Sequence, residues 1–385
     1  MKAFIPRSLS AHLRELQTYF PVVSLTGPRQ SGKTTLLKEL FPDYRYVSFE
    51  DIPNREAFAD DPLSFLRLYD RKVIFDEAQR IPDLFSYLQT RVDEDREPGR
   101  YVLSGSQNFL LSERISQSLA GRVGVARLLP LDFAELSATD LLSATPPTAI
   151  ARGFYPQLYQ TDLPSSYFYP SYVSTYLERD VTPLVRQANM GDFRRLMALC
   201  AASVGQTLNY STFAKRLQLS VPTVKTWMHY LEESYILFTL GPYFENFGKR
   251  LVKSPKLYFT DTGLATYLLQ LGDGAQVQAS QQYGALFENL IVANLRKARF
   301  NAGNQHPLYY YRDNHQLEVD LLEPTATGLI LTEIKATTTY RENLRTNLDK
   351  VASLVNKPVR KRVIYGAAES RTVGDVEYLS WRELG

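Results

Sequence analysis

Cysteine is almost absent from this chain: one residue, Cys200, stands among 385. A single thiol excludes an intrachain disulfide framework and supplies no thiolate cage for zinc. Its setting, Met197-Ala198-Leu199-Cys200-Ala201-Ala202, marks it as a small buried hydrophobe. Long apolar runs are lacking too. No stretch reaches about 18 apolar residues and no apolar h-region opens the chain. That predicts a soluble, cytoplasmic protein without a membrane partner. Charge of one sign is also scarce. The 44 Lys and Arg against 41 Asp and Glu leave a net +3, so any basic surface for nucleic acid must be local. Internal repeats and low-complexity tracts are missing, which excludes solenoids and disordered arrays.

What remains is the composition of a well-cored globular protein. Hydrophobic residues make up 44%, and 25 Tyr and 20 Phe argue against disorder. The length predicts two or three domains. Residues 22–25, 46–49, 73–75 and 101–103 read as short apolar strands, with 125–129 as a fifth. Helical patterns separate them, which indicates βαβ units and a parallel sheet covered on both faces. Residues 137–170 hold Pro146, Pro147, Pro156, Pro164 and Pro170 and read as a boundary with short helical pieces. Residues 172–245 are mostly helical. Strands return at 256–259, 308–311, 318–322, 329–334 and 362–365, around one long helix at 284–299.

The chemistry begins at Gly27-Pro28-Arg29-Gln30-Ser31-Gly32-Lys33-Thr34, a full G-x-x-x-x-G-K-[ST] match between a strand and a helix. Glycines let such a loop wrap a phosphate with backbone N–H groups, and the helix N-terminus adds partial positive charge. Lys33 is expected on the β- and γ-phosphates of ATP, and the Thr34 hydroxyl on Mg²⁺. Val73-Ile74-Phe75-Asp76-Glu77 delivers two carboxylates at a strand end: Asp76 for Mg²⁺, Glu77 to polarise the attacking water. Ser106, in Leu103-Ser104-Gly105-Ser106-Gln107, either orients that water or belongs to a simple Ser-Gly turn. Arg122, after Gly121, is a candidate to neutralise transition-state charge, in cis or from a neighbouring subunit of a homo-oligomer, with Arg114 as its substitute.

These segments, extended by Thr35-Leu36, Ala78-Gln79, Ala120 and Leu129-Pro130-Leu131-Asp132-Phe133-Ala134-Glu135-Leu136, resemble a family of prokaryotic AAA+ ATPases. The chain departs from that family's usual pattern at Ala78 and Gln107. The resemblance implies ATP binding and hydrolysis, a nucleotide cradle running from Gly27 to Thr35, and a C-terminal domain similar to PD-(D/E)xK nucleases.

Two further segments carry candidate sites. Residues 210–217 and 221–233 read as helices joined by a turn at Gln218-Leu219-Ser220 and followed by a strand, the outline of a winged helix-turn-helix. Its second helix would present Thr223, Lys225, Thr226 and His229 to DNA; a lid or protein-binding module fits the same outline. In the C-terminal segment Asp320 ends one strand, Glu333-Ile334-Lys335 lies on the next, and Glu288 sits on the long helix. Strand alternation puts Glu333 and Lys335 on one face. Asp320, Glu333 and Glu288 are expected to hold a divalent metal, with the Ile334 carbonyl, while Lys335 activates water. The alternative is a surviving fold with idle carboxylates.

The expected architecture is therefore α/β. A P-loop AAA+ ATPase domain with a parallel sheet spans 1–160, a helical winged helix-turn-helix 165–248, and a PD-(D/E)xK nuclease-like α/β domain 249–385. Two functions fit: an ATP-driven protein that acts on DNA through the C-terminal site, or an ATP-switched interaction protein that binds a partner without cutting.

Overall fold

The computed structural model describes residues 4–106, 115, 117–177, 189–243 and 254–384. The first sheet has five strands: β1 (Val22–Thr26), β2 (Arg45–Ser48), β3 (Val73–Asp76), β4 (Tyr101–Gly105) and β5 (Val123–Arg127). They lie in the order β2-β3-β4-β1-β5, and every pairing is parallel. β1, β3 and β4 are buried along their whole length, the signature of central strands covered on both faces. Because β1 neighbours β4 rather than β2, the chain reverses direction across the sheet there. The C-terminal ends of β1 and β3 open into the crevice that results, where α/β sheets bind ligands. Helix α1 (Ser10–Tyr19) covers one face, and α2 (Lys33–Leu40) follows β1.

The fifth strand lies two residues earlier than 125–129. Gly124 sets its position: a Cβ there would stand 2.8 Å from Phe20 and 3.0 Å from Leu16, so only glycine lets α1 lie flat on the strand. The Leu128 N–H still donates to the Thr26 carbonyl at 2.8 Å, but the carbonyls of Leu128 and Leu129 face other segments. The Leu128 oxygen abuts Gly27, and the Leu129 oxygen accepts a hydrogen bond from Arg7 at 2.6 Å.

The helices described within residues 145–177 and 189–234 share one large core with the C-terminal region. Among them α3 (Tyr210–Leu217) and α4 (Val221–Glu233) are joined through Gln218 at φ 57°, with Ser220 capping α4 by accepting from the Thr223 N–H at 3.2 Å. The second sheet has eight strands in the order β12-β13-β11-β10-β9-β8-β6-β7. It begins inside the segment expected to be a separate helical unit: β6 (Leu237–Pro242) pairs antiparallel with β7 (Lys256–Phe259) and parallel with β8 (Tyr309–Arg312). β9 (Glu318–Pro324) and β10 (Leu329–Lys335) form an antiparallel pair, and β11 (Val359–Tyr365) runs parallel to β10. Two short strands, β12 (Arg371–Val373) and β13 (Val376–Ser380), extend the far edge through a hairpin turned at Gly374, φ 61°.

One helix binds the two halves. Helix α5 (Tyr283–Asn301) buries Leu286, Phe287, Leu290 and Ile291 in the large core. Its other end reaches the segment that follows β5. Asn294 accepts from the Phe133 N–H at 2.8 Å, Asn301 donates to Asp132 at 2.8 Å, and Lys297 donates to the Leu131 carbonyl at 3.1 Å. Lys297 also lies 4.4 Å from the Phe154 ring centroid. Burial lowers its ammonium from 10.5 to about 8, with Asp261, Asp132 and Glu135 pulling the other way.

A lysine whose folded pKa is depressed costs stability in full below that pKa. The cost falls away as pH rises from about 8 towards 10.5, because the unfolded chain holds the proton longer. Thermal unfolding of the parent and Lys297→Met should therefore differ in slope. Relative to the variant, the parent gains stability between pH 7 and pH 9.5. Parallel curves would show that Lys297 is not held against its charge.

Candidate phosphate-loop site

Gly27 to Thr34 form the turn from β1 into α2. Gly27 has φ 154°, and a Cβ on it would lie 2.1 Å from the Leu128 carbonyl oxygen, so no other residue fits. Gly32, at φ 93°, is the left-handed N-cap from which α2 starts. Lys33 folds back over the loop, donating to the Gly27 and Pro28 carbonyls at 2.9 Å each. Thr34 donates to Asp76 at 3.0 Å, Tyr46 does so at 2.5 Å, and Ser104 to the other carboxylate oxygen at 2.5 Å. The parallel ladder explains this convergence. Asp76 ends β3 beside Ser104 on β4 and Ser48 on β2, and β4 lies beside β1, which leads into the loop.

Glu77 follows in a left-handed conformation, φ 55° and ψ 40°, that non-glycine residues rarely adopt. Such strain clusters at functional positions. Gln79 donates to its carboxylate at 2.6 Å and Ser106 at 3.4 Å. Burial raises the Glu77 carboxyl above its usual range; Lys33 opposes this and Asp76 adds to it. Arg29, Gln30, Gly32, Lys33, Thr34, Thr35, Tyr46, Asp76, Glu77 and Ser106 all line one cleft of ≈ 340 Å³. Pro28 and Ser31 hold the loop beside it: the Pro28 carbonyl accepts from Lys33, and the Ser31 carbonyl from Arg7.

Ser31 leads to a residue that motif reading missed. Arg7 is buried and donates from all three nitrogens: to the Ser31 carbonyl at 2.6 Å, the Leu129 carbonyl at 2.6 Å and the Glu135 carboxylate at 2.9 Å. Glu135 in turn completes a capping box with Asp132. The signal was present as Ile5-Pro6-Arg7 ahead of the first helix, but an isolated arginine reads as surface.

Arg122 stands elsewhere. Its carbonyl accepts from Val22 at the start of β1, and its guanidinium grips Asp93 at 2.7 and 2.9 Å. Five strand residues of about 3.3 Å each separate that edge from the loop. The in-cis alternative for Arg122 is therefore corrected: parallel β1 and β5 carry it to the wrong end of the sheet. Gln107 and Arg114 fall outside the described residues.

In the C-terminal sheet, Asp320 accepts from the Ile334 N–H at 2.8 Å and from Lys335 at 3.0 Å, and Lys335 reaches Glu333 at 2.5 Å. Glu288 accepts from Lys256 at 2.9 Å and Tyr258 at 2.5 Å. Lys256, unremarked in the sequence, also contacts Glu318 at 2.5 Å and stands 3.9 Å from Asp320. Burial and then Asp320 raise the Glu333 carboxyl, whereas burial of Asp320 is outweighed by Lys335 and Lys256, which lower it. One Glu333 oxygen, Oε1, is buried without a hydrogen-bond partner. Among the described residues no three His, Cys, Asp or Glu side chains are grouped closely enough to hold a metal ion. On α4, Lys225, Thr226 and His229 are exposed, and Thr223 is half-buried.

Residues 19–137 match an AAA domain, 145–275 a domain of unknown function (DUF8612), and 283–384 a second one (DUF4143). An uncharacterized protein of Mycobacterium tuberculosis is 33% identical over 339 residues, covering 86% of this chain and 74% of its own. An uncharacterized protein of Methanocaldococcus jannaschii is 23% identical over 328 residues, covering 77% and 70%. Among solved structures, the Walker-type ATPase of Pyrococcus abyssi overlaps 69% of this chain and 96% of its own, at 15% identity and a TM-score of 0.45. Among the described residues no helix is long and apolar enough to cross a membrane.

Arg7 generates a prediction of its own. Arg7→Lys keeps the charge but cannot serve three acceptors in a fixed fork. Calorimetric ATP affinity should fall about tenfold, the loss of one or two charge-assisted hydrogen bonds to the loop. Unchanged affinity would mean that the loop holds its shape without Arg7.

Proposed function

We propose, from the premise that this chain belongs to the family of AAA-domain proteins that includes the uncharacterized Mycobacterium tuberculosis protein, that it is an ATP hydrolase. The observation that carries this reading is the meeting of Thr34, Asp76 and Glu77 in one cleft. The loop N–H groups and the α2 N-terminus bind the phosphates, and Lys33 swings from the Gly27 and Pro28 carbonyls onto the β- and γ-phosphates. Thr34 and Asp76 suit Mg²⁺, since their oxygens already lie 3.0 Å apart and both are hard donors. When bound, that ion neutralises charge on the phosphates. Glu77, aimed by its left-handed backbone and held by Gln79, accepts the proton of the water that attacks the γ-phosphorus, and ADP leaves. Ser106 orients that water. Arg122 is left a role in trans, in a homo-oligomer.

Glu77→Gln should bind ATP like the parent and hydrolyse it at least about a hundredfold more slowly, because the amide keeps the shape and loses the base. Steady-state phosphate release and calorimetry measure the two properties. Parent-rate turnover would remove Glu77 from the role.

For the remainder, residues 165–248 and 249–385, we favour the ATP-switched interaction protein over DNA cleavage. The supporting observation is that Lys335 is already ion-paired with Asp320 and Glu333, and Lys256 with Glu288 and Glu318, so each carboxylate has an ammonium partner. A winged-helix DNA reader and a PD-(D/E)xK nuclease remain the competing assignment, for which Glu333 Oε1, buried and unpartnered, is the supporting observation. Thermal unfolding with Mn²⁺ separates the two. The favoured reading expects no shift that Asp320→Ala abolishes, and no Mn²⁺-dependent cutting of plasmid or oligonucleotide DNA. An Asp320-dependent rise in midpoint, with cutting lost in Glu333→Ala, would reverse the preference.

A further inference from the structure

A pocket of ≈ 200 Å³ lies where β5 of the first sheet meets α5 and β6. It shares no lining residue with the phosphate-loop cleft. Three arginines face it: Arg127 at the end of β5, and Arg296 and Arg299 on the last turns of α5. Arg299 is answered by Glu323 at 2.8 Å. The other two are not. Among the described residues neither Arg127 nor Arg296 has a carboxylate within ion-pair distance, and Arg296 Nη1 is buried with no hydrogen-bond partner. Their guanidiniums are instead held by rings. Arg296 lies 4.4 Å from the Phe238 centroid and 4.9 Å from that of Phe300; Arg127 lies 5.2 Å from Phe300.

Two guanidiniums against one ring repel each other, and a buried unpartnered N–H costs further free energy. Burial lowers the Arg296 guanidinium to about 10; Tyr235 opposes this and Arg127 adds to it. Glu232 and Tyr235 act on Arg296 as electrostatic neighbours without hydrogen-bonding it. A small anion between the two guanidiniums would relieve both costs. Guanidinium forks match phosphoryl oxygens in geometry. The volume admits a phosphate or diphosphate, whereas sites for drug-sized ligands run to about 300–1,000 Å³.

We propose that this pocket is a second anion site, separate from the phosphate loop, which takes the terminal mono- or diphosphate group of a ligand between Arg127 and Arg296. His306, which also lines it, is a further donor for that group. The site adjoins the strand that leads into the loop. Arg127 is the ladder partner of Thr26, the residue before Gly27, and the Thr26 hydroxyl is hydrogen-bonded to Tyr235 at 2.7 Å.

The test uses the full chain carrying Lys33→Ala, so that the phosphate loop does not contribute. Calorimetry with pyrophosphate should show saturable binding that weakens at least about tenfold when Arg296→Gln or Arg127→Gln is added. Both double variants should unfold at or above the temperature of Lys33→Ala alone, since each removes a repelling charge. A parallel arm compares an oligonucleotide bearing a 5′-phosphate with its 5′-hydroxyl counterpart. Preference for the phosphorylated form would identify the source as a nucleic-acid end; pyrophosphate binding without it would identify a free phosphate compound. Either result supports the site. No pyrophosphate binding to Lys33→Ala, or equal affinity in both double variants, would overturn it.

Discussion

The Arg7 guanidinium is the contact on which the geometry of the phosphate loop depends. It spends its donors on three segments far apart in sequence: the loop at Ser31, the exit from β5 at Leu129, and the capping box at Glu135. A buried guanidinium tolerates no partial satisfaction, so each of these acceptors must stay in place. The loop conformation, with Gly27 and Gly32 at positive φ and Gln30 strained at φ 61°, is thereby clamped from outside. Glu135, the acid of this cluster, is the same side chain that closes the capping box, so phosphate loop and capped helix share one carboxylate.

From that cluster the path runs into the C-terminal half. Asp132 of the capping box receives Asn301, and Lys297 and Asn294 of the same helix hold Leu131 and Phe133. Helix α5, 19 residues long, carries Glu288 near its other end, against Lys256 and Tyr258 beside the second sheet. A rigid helix with polar anchors at both ends ties the two carboxylate centres to one body. The coupling of the two halves through this helix rests on hydrogen bonds rather than on a flexible linker.

The two centres differ in how charge is met. Asp76 is satisfied by hydroxyl donors from Thr34, Tyr46 and Ser104, which leaves its negative charge available to a cation. Asp320 and Glu333 are met by the ammonium of Lys335, and Glu288 and Glu318 by that of Lys256. Neutral donors leave a carboxylate hungry for a cation; ammonium groups supply one. This contrast separates the two centres more sharply than their motifs do.

The phosphate loop, the carboxylates after β3 and the parallel sheet were legible in the chain because each is a local pattern. Glycine at a left-handed turn, an apolar strand and a Lys-Thr at a helix start are dictated by residues adjacent in sequence. The AAA domain at 19–137 follows from those patterns. Tertiary structure alone decided the rest. It placed Arg122 at the wrong end of the sheet for its own site, drew β6 into the eight-stranded sheet, brought Arg7 and Lys256 to their partners, and set Arg127 and Arg296 against the rings of Phe300 and Phe238. These are lone charged side chains whose meaning is a contact across more than 20 residues. Sequence spacing carries no record of such a contact, because burial and pairing are set by how whole elements pack.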